Sequence, residues 1–351
     1  MVDVGMPAYR RPEFISGAIE SVLAQTHTAW RLVVSENGPG GGDVEAAVRA
    51  YGGDPRIRYE ATGRNLGPAA NWTRLIRAGN APYVTVLQDD DAWDQGFLAA
   101  RVAFLERHRS CAFVFSGERM MDGNGREIAV ERTRGLPELD VSEVLPEGVY
   151  QPEEFFPAMY RHRLGGIHTP SISSGGVMSR RSALESEGAR FDDSQPFLYW
   201  DVELYMRMAL RFPTGFLALR DVAQRVHHPS ITAESAYDGE RWIRYHDYYG
   251  ELIKRRLPGV RLPRQHKELR GQAYIWAALD RIEQSDRRAG ARYLRNAVRA
   301  HPRGLANPRV AAAAVSLVMG DPGARMMRRA RDRLRRRNEV LVYARADTRR
   351  T

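Results

Sequence analysis

Short apolar runs alternate with amphipathic segments through the first third of the chain, and this alternation constrains the fold more than any other feature. VDVGMP (2–7) reads as a strand ending at Pro7. Pro12 then opens a segment in which Phe14, Ile15, Ala18, Ile19, Val22 and Leu23 share one face of a 3.6-residue period, the pattern of a half-buried helix. RLVVSENG (31–38), IRYEA (57–61), YVTVL (83–87) and AFVFS (112–116) read as further strands. Helical segments separate them at 43–51, at GPAANWTRLIRAG (67–79, closed by Gly79) and at GFLAARVAFLERH (96–108). Two strands joined through a helix of this length meet side by side and parallel, with helices over the faces of the sheet. The expectation is an α/β fold with a central, mainly parallel sheet.

The pattern then loosens. Residues 120–175 contain Gly and Pro and read as loops with short helices. GGVMS (175–179) and GFLAL (215–219) read as strands, YWDVELYMRMALRF (199–212) as a helix, and everything beyond about 240 as helical. Residues 271–300 have the look of a helix–turn–helix pair. VAAAAVSLVM (310–319) is half the length needed to span a bilayer and reads as a packed helix. The lone cysteine, Cys111, sits in an apolar run and reads as core; with no partner for a disulfide, a reducing setting fits. The chain starts directly into a strand pattern rather than a secretory leader, so a cytoplasmic location is expected. The formal charge is +10, but the stretch 325–350 holds eleven arginines against three acids and carries +8 of it. The basic balance is therefore a property of the tail.

Ligands of parallel α/β sheets gather at the carboxyl ends of the strands. Two polar stretches fall there, SEN (35–37) and QDDD (88–91). Asp89, Asp90 and Asp91 repel one another unless something cationic sits among them. Two readings are open on that feature alone: a solvated turn, or a site for a hard divalent cation.

The motifs around the triplet narrow the choice. MPAYRRPEF, VVSENG, GRNLGPAANW, VLQDDDAW and, farther on, YWDVELYMRMA occur in one order. This series resembles family 2 glycosyltransferases, and the resemblance covers about residues 1–230. It implies the GT-A fold: a Rossmann-like, mixed and mainly parallel central sheet flanked by helices, here with a helical C-terminal extension. It also implies an inverting, nucleotide-sugar-dependent enzyme with Mg²⁺ or Mn²⁺, of a kind expected in cell-envelope or polysaccharide biosynthesis. The implied division is a catalytic domain at 1–235, with a nucleotide-sugar-binding half at 1–120 and an acceptor and base half at 121–235. A helical C-terminal region follows at 236–351.

Carried over position by position, the resemblance places Pro7, Ala8 and Tyr9 along the base and ribose. Glu36 stands for the acidic residue that accepts hydrogen bonds from the base. Asn65, Gly67 and Asn71 form the next donor motif, with Arg64 before it. Gln88 replaces the first Asp of the family's Asp-x-Asp-Asp, a departure like Arg10 after Tyr9. Gln88 and Asp89 are then expected near the ribose and Asp90 as metal ligand. Asp91 is expected to support the metal or to cap the following helix, and His227 to complete the metal shell. Asp201 matches the general base that an acceptor hydroxyl needs to become a nucleophile, with Glu203–Arg207 as a surface ion pair. Ser174, Gly175, Gly176 and Trp200 are expected on the acceptor side, and Trp93 as a packing anchor.

The implied partners are a nucleotide-diphosphate sugar and a carbohydrate, lipid-linked or small-molecule acceptor. The Arg-rich tail reads as a solvated terminus or as a peripheral contact with an anionic membrane at its inner face. No nucleic-acid reader motif accompanies the charge. Two rivals stay open. A sugar-1-phosphate nucleotidyltransferase lacks support because MPAYRRPEF is not a Gly-rich, Lys-bearing loop. A non-catalytic carbohydrate or sugar-nucleotide binder would need no base at Asp201.

Overall fold

A computed structural model of the chain describes residues 1–128, 145–161, 172, 174–191, 200–225, 239–262, 264–302, 308–320, 322–323, 325 and 329. The alternation seen in the sequence builds β1 (Val2–Ala8), α1 (Pro12–Leu23), β2 (Trp30–Glu36), α2 (Asp43–Arg49), β3 (Ile57–Ala61), α3 (Pro68–Arg77) and β4 (Tyr83–Val86). β1 pairs parallel with both β2 and β4, and β2 with β3. The apolar stripe of α1 buries Ile15, Ala18, Ile19 and Val22 completely. Each large side chain among them contributes about 1.5–3 kcal/mol by leaving water. Pro12 sits in the first turn, where its missing N–H costs nothing.

The second part of the sheet is built differently. β5 (Ala92–Trp93), α4 (Phe97–Arg107), β6 (Phe113–Met121), β7 (Glu127–Ile128), β8 (Gly148–Tyr150), α5 (Pro152–Arg161), β9 (Met178–Arg180), α6 (Arg181–Ser186), α7 (Trp200–Ala209) and β10 (Thr214–Arg225) follow in order. The strand order is β3-β2-β1-β4-β9-β6-β10-β5, with β7 on β6 and β8 on β10. β9 runs antiparallel to both β4 and β6, while β6 and β10 are parallel to each other. β6 and β10 therefore point the same way as β1–β4. The stretch that enters β9 arrives at the edge where β1, β2, β4 and β10 end. That insertion brings a 3-10 turn, Ser174–Gly176, to the aspartates.

Four helices close the described chain: α8 (Gly239–Arg256), α9 (Arg264–Glu283), α10 (Arg287–Ala300) and α11 (Pro308–Met319). The helix–turn–helix look of 271–300 is the α9–α10 pair. α8 is not an appendage. Trp242, Tyr245, Tyr249, Leu252 and Ile253 share one apolar cluster with Phe115, Phe155, Leu204 and Met208 of the sheet half. Cys111 is buried, as its apolar surroundings imply. α11 packs as expected through Val310 and Ala313, which join Ile275, Leu279 and Ile282, but leaves its other face uncovered, with Val315 51% exposed and Val318 84%. The Glu203–Arg207 pair forms at 3.1 Å but is not at the surface. Glu203 is buried and also accepts from the Tyr248 hydroxyl at 3.0 Å, so the pair joins α7 to α8.

Candidate functional site

The chain leaves β4 at Leu87 and delivers Gln88, Asp89, Asp90 and Asp91 at the sheet edge. Asp89 is buried. Its Oδ2 accepts from the Tyr9 N–H at 3.1 Å, and its Oδ1 lies 2.8 Å from Arg11 Nη2. Arg11 also pairs with Asp90. The geometry behind this is local: Arg10 takes φ +58°, in the left-handed region that non-glycine residues seldom visit, and so turns the chain sharply between β1 and α1. Arg11 comes back over the aspartates as a result. The sequence drew attention to Arg10 as a departure, but Arg11 is the arginine that reaches the site. Two arginines at one strand end, opposite three aspartates at the next, were the available signal.

Burial pushes the Asp89 carboxyl up to about 7, against the pull of Arg11 and with the push of Asp90. Asp91 is raised well above the usual carboxylate range, by burial first and then by Asp90. For both carboxyls burial outweighs the charge and hydrogen bonds that lower the pKa. Asp89 and Asp90 present adjacent hard oxygens, and this donor set fits Mg²⁺ or Mn²⁺. Asp91 lies deeper than Asp90. It is buried, and its Oδ1 accepts from the Arg225 N–H at 2.9 Å. Nor does it cap a helix: β5 follows it, and Gly96 precedes α4. Asp91 instead ties the end of β10 to the end of β4, and Arg225 Nε donates to the Asp90 carbonyl at 2.8 Å. His227 lies outside the described residues. Among the described residues, no three His, Cys, Asp or Glu side chains converge as a ready-made metal cage.

The donor-side residues line neighbouring strand ends. Pro7 and Ala8 close β1, and Tyr9 is 37% exposed beyond them. Glu36 closes β2 and accepts from the Tyr59 hydroxyl. Asn65 Oδ1 accepts from Asn37 Nδ2 at 3.1 Å and from the Gly67 N–H at 2.8 Å, with Arg64 exposed beside it. Gly67 takes φ +83° where the loop turns into α3, a conformation a Cβ would strain. Asn37, the last residue of SEN, is a site residue that the motifs alone do not mark. It holds the loop at both ends, since its Oδ1 also accepts from the Leu66 N–H and its own N–H donates to Ala8 O. Asn71, expected in the donor motif, faces inward. It is buried, its Oδ1 accepts from the Ser35 hydroxyl at 2.6 Å, and its Nδ2 donates to Ser35 O. It supports the end of β2 from below.

The 3-10 turn Ser174–Gly176 packs against the aspartate edge. Gln88 Nε2 is 3.5 Å from Ser174 Oγ, the outer limit of a hydrogen bond. A Cβ on Gly175 would stand 2.7 Å from Gln88 Oε1, so a larger residue there would have to displace the Gln88 side chain. Trp93, the expected packing anchor, is buried, stacks on Phe97 at 3.9 Å and donates its indole N–H to Gly175 O at 2.9 Å. Arg101 Nε donates to Gly176 O at 3.0 Å. A charged residue on the apolar face of α4, beside Phe97, Phe104 and Leu105, was the sequence signal for this anchor.

Asp201 lies in the first turn of α7. Its carboxylate accepts from the Ser174 hydroxyl and from its own and the Val202 backbone N–H groups. Burial outweighs these and raises its pKa above the ordinary range. Ser174 thus stands between Asp201 and Gln88 and brings together two positions more than a hundred residues apart. Trp200 opens α7 by its backbone.

The aspartate cluster and the half-buried Asp201 thus meet through the Ser174 turn. The model of Glycosyl transferase family 2 matches residues 3–188, and the chain belongs to that family. The putative teichuronic acid biosynthesis glycosyltransferase TuaG of Bacillus subtilis is 28% identical over 128 residues, covering 36% of this chain and 50% of that protein. The putative colanic acid biosynthesis glycosyl transferase WcaA of Escherichia coli is 26% identical over 124 residues, 35% of this chain and 44% of that one. The chain thus spans about half the length of these relatives. Among solved structures, S. aureus TarS 1-349 in complex with UDP-GlcNAc superposes with a TM-score of 0.58 at 14% identity, over 95% of this chain and 91% of that one, which establishes a shared fold.

Proposed function

We propose that this protein is an inverting glycosyltransferase that moves a sugar from a nucleotide-diphosphate donor to an acceptor hydroxyl. The observation that carries the reading is the Ser174 bridge. It sets a carboxylate, Asp201, opposite the aspartate-bearing end of β4 on a single sheet edge. The similarity to TarS, which was solved with UDP-GlcNAc, supports a nucleotide-sugar donor. The relatives named for teichuronic and colanic acid biosynthesis support a role in cell-envelope or polysaccharide synthesis.

In this reading the catalytic domain spans 1–235, with the donor half at 1–120, and a helical region follows at 236–351. Pro7, Ala8, Tyr9 and Glu36 receive the nucleoside at the ends of β1 and β2. Arg64, Asn65 and Gly67 close over it. Gln88 and Asp89 face the ribose, while Asp90 holds the divalent cation. A bound Mg²⁺ or Mn²⁺ supplies Lewis-acid charge to the diphosphate leaving group. Asp201 takes the proton of the acceptor hydroxyl as its oxygen bonds to the anomeric carbon and the bond from that carbon to the diphosphate oxygen breaks. One base and one displacement invert the anomeric centre. Ser174 orients the base, and Gly175 and Gly176 keep the floor of the acceptor side free of side chains. The raised Asp201 pKa suits it to accept a proton.

The test is a thermal-shift screen of nucleotide-diphosphate sugars with and without Mn²⁺, followed by Asp201→Asn. The variant is expected to bind the selected donor like the wild type and to transfer at least ~10²-fold more slowly. Equal turnover in the two proteins removes Asp201 from the role of base.

A further inference from the structure

α10 carries five arginines, Arg287, Arg288, Arg292, Arg295 and Arg299, and neither α10 nor α11 contains an acidic residue. The spacing of four of them is decisive. Arg288, Arg292, Arg295 and Arg299 recur at i, i+4, i+7 and i+11, which places them in one narrow stripe at about 100° per residue. All four are exposed. The opposite face holds Gly290, Leu294 and Ala297, and packs into the cluster of Ile275, Leu279 and Ile282 on α9. The helix therefore has no freedom to turn its arginines inward. Asp286 stands at its N-terminus, where its carboxylate accepts from the Ala289 N–H at 3.0 Å.

α11 packs beside it with the opposite chemistry exposed. Val310, Ala313 and Ser316 are buried, while Val315 is 51%, Val318 84% and Met319 47% exposed. The two features adjoin: Arg287, in the first turn of α10, donates to Leu317 O near the end of α11. Farther along, Arg325 and Arg329 are exposed and one helical turn apart. A row of guanidinium groups next to an uncovered apolar stripe is the chemistry of a lipid interface. Phosphate headgroups meet the first, and the acyl boundary receives the second. A nucleic acid would use the arginines and leave the valines in water.

We infer that the α10–α11 surface docks this protein on an anionic lipid bilayer, with Arg288, Arg292, Arg295 and Arg299 against headgroup phosphates and Val315, Val318 and Met319 inserted beside them. The surface lies on elements separate from the donor site and does not rest on the proposed glycosyl transfer.

The experiment is co-sedimentation of the full chain with vesicles of phosphatidylglycerol and phosphatidylcholine, against vesicles of phosphatidylcholine alone. The wild type is expected to pellet with the anionic vesicles only. The combined variant Arg288→Gln, Arg292→Gln, Arg295→Gln and Arg299→Gln keeps the 325–351 tail and is expected to lose at least ~10-fold in partitioning. Val315→Ser with Val318→Ser is expected to weaken it severalfold at unchanged charge. Circular dichroism of both variants should match the wild type, because every altered side chain is solvent-facing. Three results overturn the proposal: no pelleting of the wild type, pelleting of the arginine variant at the wild-type level, or an unaffected valine variant together with equal affinity for duplex DNA.

Discussion

Two arginine–aspartate clusters sit at the same edge of one sheet and behave in opposite ways. Arg101 and Asp221 meet bidentately, at 2.7 and 3.0 Å, inside the protein. Arg101 is fully buried, lies 3.4 Å above the Phe97 ring, and donates also to Gly176 O, Phe97 O and Ser116 Oγ. The Ser116 hydroxyl in turn is 2.8 Å from Asp221. Burial alone would raise Asp221, but Arg101 outweighs it and holds the carboxyl below the usual range. Arg11 is instead about one-third exposed and divides its charge between Asp89 and Asp90. Asp89 ends near neutrality's midpoint, at about 7. The first cluster is closed and acts as a strut for the Ser174–Gly176 turn. In the second, one partly exposed arginine is shared between two carboxylates. Burial and the number of partners, more than residue type, separate the two clusters.

Substitutions can break that contrast. The largest effect is expected for Arg101→Leu, which strands the Asp221 charge in the interior and should cost about 3–5 kcal/mol in urea unfolding. Arg101→Leu combined with Asp221→Leu should recover most of that loss, since an apolar pair leaves no orphaned charge. A double variant as unstable as the single one would mean that the bonds to Gly176 and Ser116 carry the strut.

In the open cluster, Asp90→Asn should leave unfolding within about 1 kcal/mol of the wild type. It should weaken Mn²⁺ binding, read by calorimetry, by at least ~10-fold. Unchanged Mn²⁺ affinity would remove Asp90 from the metal assignment. Arg11→Met should cost about 1–3 kcal/mol, less than Arg101→Leu, because the buried Asp89 carboxyl it leaves behind can take up a proton near pH 7. It should tighten Mn²⁺ binding roughly fivefold, because it removes a competing cation. Looser binding would make Arg11 a partner of the metal site rather than a competitor.

The smallest effect is expected at Ser174→Ala. In the proposed role Asp201 must be ionised to take a proton, so activity should be lost as pH falls through its raised pKa. Ser174 donates to the ionised carboxylate and lowers that pKa. Removing the hydroxyl should move the acid limb of kcat/KM to higher pH, with little change on the alkaline side. An unmoved limb would separate Ser174 from the base.

Much of the first half was legible because its cues are local. Strand and helix periods, Pro12 and Gly67 are read within ten residues, and β1–β4 with α1–α3 follow from them. β9 was legible as a strand but not as an antiparallel one, because direction depends on which strands it enters between. Glu203 and Arg207 have a spacing that predicts a pair, while its burial under Tyr248 needs α8 folded over α7. The cap assigned to Asp91 failed for a similar reason: β5 pairs with β10, and that long-range pairing takes the place of a helix start.

The sequence by itself determined the class of sheet, the order of its motifs and the residue types at the strand ends. In a parallel α/β sheet the carboxyl ends of the strands share one edge, and QDDD and SEN lie at such ends. Only the tertiary structure decided how those charges are balanced. It turned Arg11 onto Asp89 and Asp90, withdrew Asp91 behind the Arg225 backbone, and buried Arg101 under the turn that carries Ser174. Through that serine it joined Asp201 to the β4 end. Each of these depends on desolvation and on contacts between distant segments, and those exist only once the chain has closed around them.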